Sequence, residues 1–154
     1  MVEVLVVVGL LGIGFLGIGI LAVQGSQLLS VAADRHEAVL YLREGIEGVK
    51  ALRNESWTDH IASASTDTNL YLVAQDGRWM LSASDPGPLY GRPQNFNRTV
   101  VVERVSRDSA TDNIDPAGID DPDTRRITVT LLWTTRGGTR TFVATTYLTN
   151  ILDN

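Results

Sequence analysis

The residues that could do acid–base or covalent chemistry are few in this sequence. The 154 residues contain no Cys and only two His, His36 and His60. Without Cys there is no thiolate nucleophile, no disulfide and no Cys-ligated metal, and neither His stands in a recognisable Ser-His-Asp context. The Gly137-Gly138 pair lacks the lysine and the following helix of a phosphate-binding loop. We therefore expect no enzymatic activity and no cofactor.

One acidic stretch has the oxygen-rich chemistry that calcium prefers. Residues 108–123 contain six Asp and neither Lys nor Arg, so the rest of the chain sums to +1 while the whole carries −5. The spacing lacks the regular ligand positions and the late bidentate Glu of an EF-hand. A solvated surface loop without metal is the simpler interpretation. The alternative is a calcium site, with the candidates Asp112, Asp115, Asp120, Asp121 and Asp123.

A single carboxylate, Glu3, lies at the start of a long apolar run. Residues 1–23 contain 17 apolar residues, five Gly and this one charge. A stretch of about 20 apolar residues is enough to cross the hydrocarbon of a bilayer as a helix, so we expect a membrane-inserted segment. The alternative is a secretory signal peptide, whose shorter apolar core follows a basic stretch. No Lys or Arg precedes Arg35 here.

Glu3 needs a positive partner or water, because an unpaired carboxylate is unstable in hydrocarbon. It lies either at the membrane interface beside the chain terminus or against the α-amino group of another chain. The apolar side chains that we expect to face lipid, or the helices of neighbouring subunits, are Leu5, Val8, Leu11, Phe15, Ile18 and Leu21.

The opening residues, Met-Val-Glu-Val-Leu-Val-Val-Val-Gly-Leu-Leu-Gly-Ile-Gly, resemble the start of mature type IV pilins and of the pseudopilins of type II secretion. Chains of that family begin with an aromatic residue and carry one Glu at the fifth position of a long apolar helix. Glu3 matches that Glu with an offset of two. We therefore expect two mature residues and a short basic leader to precede Met1. Residues 38–57 are also similar to the end of this helix in minor-pilin-like bacterial proteins.

The resemblance implies a structural subunit of a type IV pilus or related pseudopilus, anchored in the bacterial inner membrane by one helix and later polymerised through it. It implies further copies or other pilins, a prepilin peptidase and the inner-membrane assembly machinery as partners. The assembled subunit then lies in an extracellular filament or a periplasm-spanning pseudopilus. Glu3 takes the assembly role, in which it registers an incoming subunit. The alternative is a minor pilin at a fibre tip that adheres to a surface or binds DNA.

An amphipathic helix is predicted after the apolar run. Residues 27–54 contain no Pro, and Val39, Leu42, Ile46 and Val49 recur at the steps of three and four that define one helical face. We expect this stripe to pack against the C-terminal part of the chain.

The same helix carries four cations that could together bind DNA: Arg35, Arg43, Lys50 and Arg53. Glutamates interleave them, and the net charge of −5 argues against a nucleic-acid partner, since phosphate binding needs a basic face. A solvated or subunit-contacting face is the simpler interpretation.

After Trp57 the hydrophobic period changes to two, which is typical of strands. Asp76-Gly77 separates two alternating runs and predicts a hairpin. Three further strands are predicted at 99–105, 127–134 and 141–148. The expected fold is α+β: a long N-terminal helix with an apolar half (1–26) and an amphipathic half (27–56), packed on an antiparallel head of about four to five strands (57–154). This arrangement is the pilin fold that the resemblance implies.

Overall fold

The computed structural model describes residues 1–89, 96–135 and 137–152, apart from the side chains of Leu5 and Ile13. The described elements are helix α1 (Val2–Glu55), a five-residue π-helix (Thr58–Ala62) and the strands β1 (Tyr71–Gln75), β2 (Arg78–Ser82), β3 (Asn97–Arg107), β4 (Ile119–Thr135) and β5 (Gly138–Thr149). The chain divides into two compact units, Met1–Glu37 and Ala38–Asn154, and the boundary falls within α1.

Helix α1 continues for 54 residues because nothing in its sequence stops it. The first Pro of the chain is Pro86, so no residue of α1 lacks a backbone donor. The helix ends at Glu55, where the Ser56 hydroxyl accepts a hydrogen bond from the Asp59 amide (3.1 Å) and donates one to the Asp59 carboxylate (3.0 Å). This reciprocal pair starts the π-helix, which buries Ile61.

The β1–β2 hairpin forms where the sequence predicts it. Its two turn residues, Asp76 and Gly77, have φ angles of 52° and 76°, and Gln75 lies opposite Arg78. Positive φ at both central positions is the type I′ geometry, for which Asp-Gly is a favoured pair.

The remaining strands form a three-stranded antiparallel sheet in the order β3-β4-β5. A bulge at Arg104 and Val105 shifts the β3–β4 register. The small hairpin is a separate two-stranded sheet, joined to β3 where Leu70 and Val100 exchange backbone hydrogen bonds of 2.8 and 2.7 Å. The strands of the head therefore form two sheets, because among the described residues only this isolated bridge connects the hairpin to β3.

Two clusters of buried side chains hold the second unit together. The larger joins the helix residues Val49 and Leu52 to strand residues such as Val100, Ile127 and Val129. The smaller is aromatic, with Phe96 between Tyr41 (centroids 5.1 Å apart) and Trp133 (5.8 Å). From Ala38 onward the helix thus covers one face of the sheet, and the predicted α+β class is confirmed.

Candidate assembly surfaces

The first unit consists of a helix whose apolar side chains have no protein cover. Of the predicted filament-core residues, the five with described side chains each expose more than half of their surface: Val8, Leu11, Phe15, Ile18 and Leu21. Leu5 belongs to α1, but its side chain lies outside the described residues. By length and composition α1 is able to cross a membrane, and its most apolar stretch is wholly exposed in the isolated chain.

Covering this apolar surface is strongly favourable in free energy. Burying one Val, Leu, Ile or Phe side chain is worth about 1.5–3 kcal/mol, and the first unit exposes many of them. They lie on every side of the helix, so a single groove on one partner would not cover them. Lipid or several neighbouring helices around the helix would cover all of them.

Glu3 is exposed and lies in the first turn of α1. The partial positive charge at a helix N-terminus favours a carboxylate there. The isolated chain therefore tolerates Glu3 in water, whereas an apolar environment requires a counter-charge for it.

The helix glycines fall into two groups that differ in what surrounds them. A Cβ added at Gly9, Gly12, Gly14, Gly17 or Gly19 would meet nothing within 4 Å. A Cβ added at Gly45 would lie 2.8 Å from Arg98 Cδ and 2.9 Å from Val129 Cγ1, and one at Gly48 would overlap Leu72. Only the second group is required by close packing within the chain.

The predicted helix stripe is correct for three of its four residues. Val49 is fully buried, and Leu42 and Ile46 are partly buried against the core clusters. Val39 was wrongly placed on this face, since it exposes 44% of its surface while its neighbour Ala38 is fully buried. Successive helix residues differ by about 100° in direction, so Val39 points away when Ala38 and Tyr41 point inward.

Arg98 is a buried cation that the sequence pattern does not reveal. Its side chain is 1% exposed, its Nη1 donates to the Tyr41 carbonyl oxygen (2.9 Å), and the same nitrogen lies 3.4 Å from Glu44 Oε1. The guanidinium also lies over the Trp79 ring at 6.0 Å. Arg98 therefore ties β3 to the helix, and the absence of a side chain at Gly45 makes room for it. The sequence offered one signal of this close approach, namely Gly45 and Gly48. Gly is costly inside a helix, so two of them three residues apart indicate that something packs closely there.

The structure does not bring the calcium candidates of the acidic stretch together. Among the described residues no three His, Asp or Glu side chains are placed to hold a metal ion. Asp115 accepts from the amide of Ala117 (2.9 Å), and Asp121 accepts from Arg107 Nε (2.6 Å). The calcium candidates Asp112, Asp120 and Asp123 are exposed and are not gathered with the other two. Turn hydrogen bonds and an arginine use the oxygens that a cation would need.

Arginine pairing dominates the electrostatics of the sheet. Arg126 binds both carboxylate oxygens of Glu103, at 2.9 and 2.5 Å, across the outer face of β3 and β4. Hydrogen bonding from Arg126 lowers the pKa of Glu103, with a further contribution from Thr128. Partial burial raises the pKa of Asp121, but hydrogen bonds from Thr124 and Arg107 outweigh it and leave that pKa below its usual value.

Comparisons of the chain with protein-family models, curated proteins and solved structures find no match. The class of protein is therefore defined by the structure alone: an α+β head whose N-terminal helix is long and apolar enough to span a membrane.

Proposed function

We propose that this chain is a structural subunit of a type IV pilus or related pseudopilus, held in the bacterial inner membrane before assembly and polymerised through its apolar helix. Its partners are further copies of the chain or other pilins, and a prepilin peptidase and inner-membrane machinery process and assemble it. The proposal assigns no chemical reaction to the chain. During assembly its apolar helix leaves the lipid of the membrane and packs against the helices of neighbouring subunits.

The observation that carries the proposal is the length of the uncharged helix. Residues 4–33 contain no Asp, Glu, Lys, Arg or His, and they extend about 45 Å at 1.5 Å per residue. The hydrocarbon of a bilayer is about 30 Å thick. A tilt of about 48° would be needed to place the whole segment in lipid, which is beyond the usual range of 0–40°.

The end of the uncharged helix, which also contains Gln24, Ser26 and Gln27, therefore extends beyond the hydrocarbon, and only its apolar side chains need a cover other than lipid. Leu28 and Leu29 lie near the end of this segment, and they expose 72% and 73% of their surfaces. Neighbouring helices in a filament would cover them together with the more N-terminal residues.

Glu3 supplies the register in this proposal. In a bundle of apolar helices its carboxylate pairs with the terminal amine of a neighbouring subunit, which fixes the axial position of an incoming chain. Glu3→Ala is expected to abolish polymerisation while leaving the head folded. Glu3→Gln keeps the size of the side chain without its charge and is expected to fail similarly.

The test measures polymer sheared from cells that produce the wild-type chain, the two Glu3 variants or the control Asp34→Ala. Asp34 lies on the same helix beyond the uncharged segment. The proposal expects polymer from wild type and control and none from the Glu3 variants, with all four chains present in the membrane fraction. Normal amounts of polymer from Glu3→Ala would refute the role of Glu3.

A further inference from the structure

One end of the three-stranded sheet carries exposed aliphatic residues within a strongly negative surface. We call residues 108–123 the acidic end. Ile114 and Ile119 expose 46% and 69% of their surfaces. Both pair with Arg107, Ile119 through the β3–β4 register and Ile114 through an isolated bridge, so they flank Arg107 on one face. Asp112 and Asp120 belong to the same end and are also exposed, with Asp120 on the opposite face of β4 from Ile119 because successive strand residues alternate.

The charge of this end is not balanced locally. Arg107 lies among the six aspartates and forms an ion pair with Asp121. The loop folds back onto the end of β3, where the Asp115 amide donates to the Ser106 carbonyl oxygen (2.9 Å). The acidic end is therefore an ordered surface that combines negative charge with aliphatic side chains, and a partner that covers it should be basic and partly apolar.

The exposed side of α1 in the second unit is basic and partly apolar, as such a partner would be. We call Val39, Arg43, Lys50 and Arg53 the basic strip, because steps of four, seven and three residues place them along one side of α1. Val39 is 44% exposed, and Arg43 is also exposed. Glu47 pairs with Lys50 at 2.8 Å, so three cations and one carboxylate leave the strip with a net charge of +2.

Within one chain the two surfaces belong to different sets of ion pairs. Among the described residues of this part of the helix, Lys50 pairs with Glu47, Glu44 pairs with Arg98, and Glu55 pairs with Arg78 and His60. At the acidic end, Arg107 pairs with Asp121. None of these pairs connects the strip to the acidic end.

We propose that the acidic end of one copy of this chain docks on the basic strip of the next copy. The inference rests on the proposed filament and identifies a contact between its heads. Two different surfaces of one chain that bind each other make a heterologous contact, which propagates into an open helical assembly. Complementary charge sets the register of such a contact, and Ile114, Ile119 and Val39 supply its apolar part.

Cross-linking tests the contact directly, because the natural chain contains no Cys. The double variant Arg43→Cys with Asp120→Cys, treated in assembled material with a short thiol cross-linker, is expected to give a ladder of multimers. Each single variant is expected to give no ladder, since a heterologous contact needs both thiols. The control is the double variant Arg43→Cys with Thr141→Cys. Thr141 is exposed on β5, away from the acidic end. This control pair is expected to give no ladder.

Charge exchange gives a second measurement. Asp120→Arg is expected to lower the yield of polymer about tenfold, because it places like charges opposite each other. The combination Asp120→Arg with Arg43→Asp should restore at least half of the wild-type yield, which also shows that the altered head folds. Thr141→Arg adds a positive charge to β5 and should leave the yield unchanged.

The outcomes separate this inference from the proposed function. A polymer that gives no ladder from the cysteine pair, and whose yield is not restored by the exchange, overturns the docking of the two surfaces while the filament stands. A chain that forms no polymer in any variant or in wild type overturns both. A ladder together with restored yield supports the contact.

Discussion

Helix α1 contains two segments that both carry leucines and glycines, but the first segment is exposed and the second packs against the head. In the first unit leucines and glycines are exposed, with nothing beside the glycines; in the second unit Leu52 is 1% exposed and Gly45 and Gly48 lie against other side chains. One continuous helix thus stabilises the fold only from Ala38 onward. The apolar residues before this point are not buried by other parts of the chain among the described residues.

Truncating one leucine in each segment is the strongest way to test this contrast. Leu52→Ala removes a side chain from the core and is expected to lower the free energy of unfolding of the head by about 2–5 kcal/mol. Leu16→Ala, at a position that is 70% exposed, is expected to change it by less than about 0.5 kcal/mol. Denaturant unfolding of the detergent-solubilised chain, followed by Trp fluorescence, measures both, and equal losses would contradict the contrast.

Adding one methyl group to a glycine sharpens the same comparison. Gly45→Ala places a Cβ against Arg98 and the rigid, fully buried Val129, and we expect a loss of about 1–3 kcal/mol in head stability. Gly12→Ala meets nothing within 4 Å and should favour helix by up to about 1 kcal/mol without changing head unfolding. Far-UV circular dichroism and thermal unfolding distinguish the two variants. A Gly45→Ala variant that is more stable than wild type would contradict the close packing of Arg98 and Val129 against Gly45.

Acidic pH should lower the stability of the head by a small amount. The pKa of Glu103 is lowered in the folded state, so its contribution is present above the unfolded pKa of about 4.3 and is lost as pH falls through the folded pKa. Glu103 and Arg126 are partly exposed, so we expect only about 0.2–1 kcal/mol. Unfolding from pH 7 to pH 2 should show a smaller acid loss in Glu103→Gln than in wild type, and parallel curves would contradict this assignment.

Short-range patterns predicted much of the fold. The absence of Pro predicted the long helix, Asp76-Gly77 predicted the hairpin, and alternation predicted the later strands. Strand ends were less well predicted: β4 begins at Ile119, inside the stretch that was interpreted as a loop. Backbone pairing with β3 extends this strand through Pro122, and no local pattern shows that pairing.

The features of the site that depend on three-dimensional contact were not predictable. A charged residue in an alternating strand is usually exposed, yet Arg98 is buried because Glu44, the Tyr41 carbonyl oxygen and a glycine lie opposite it. Val39 was misplaced because two neighbouring helix positions fit a loose apolar period equally well, and only packing against the sheet selects Ala38. The apolar segment was recognisable because its signal is composition, which does not depend on the fold.

The most direct test of the central claim is the size and N-terminal sequence of this protein recovered from cells. Our account predicts high-mass polymers whose subunits retain the whole apolar helix, including Glu3. Recovery of a dispersed monomer that has lost its first two dozen residues would contradict it, because the exposed helix would then be a removable signal and not the surface through which subunits assemble.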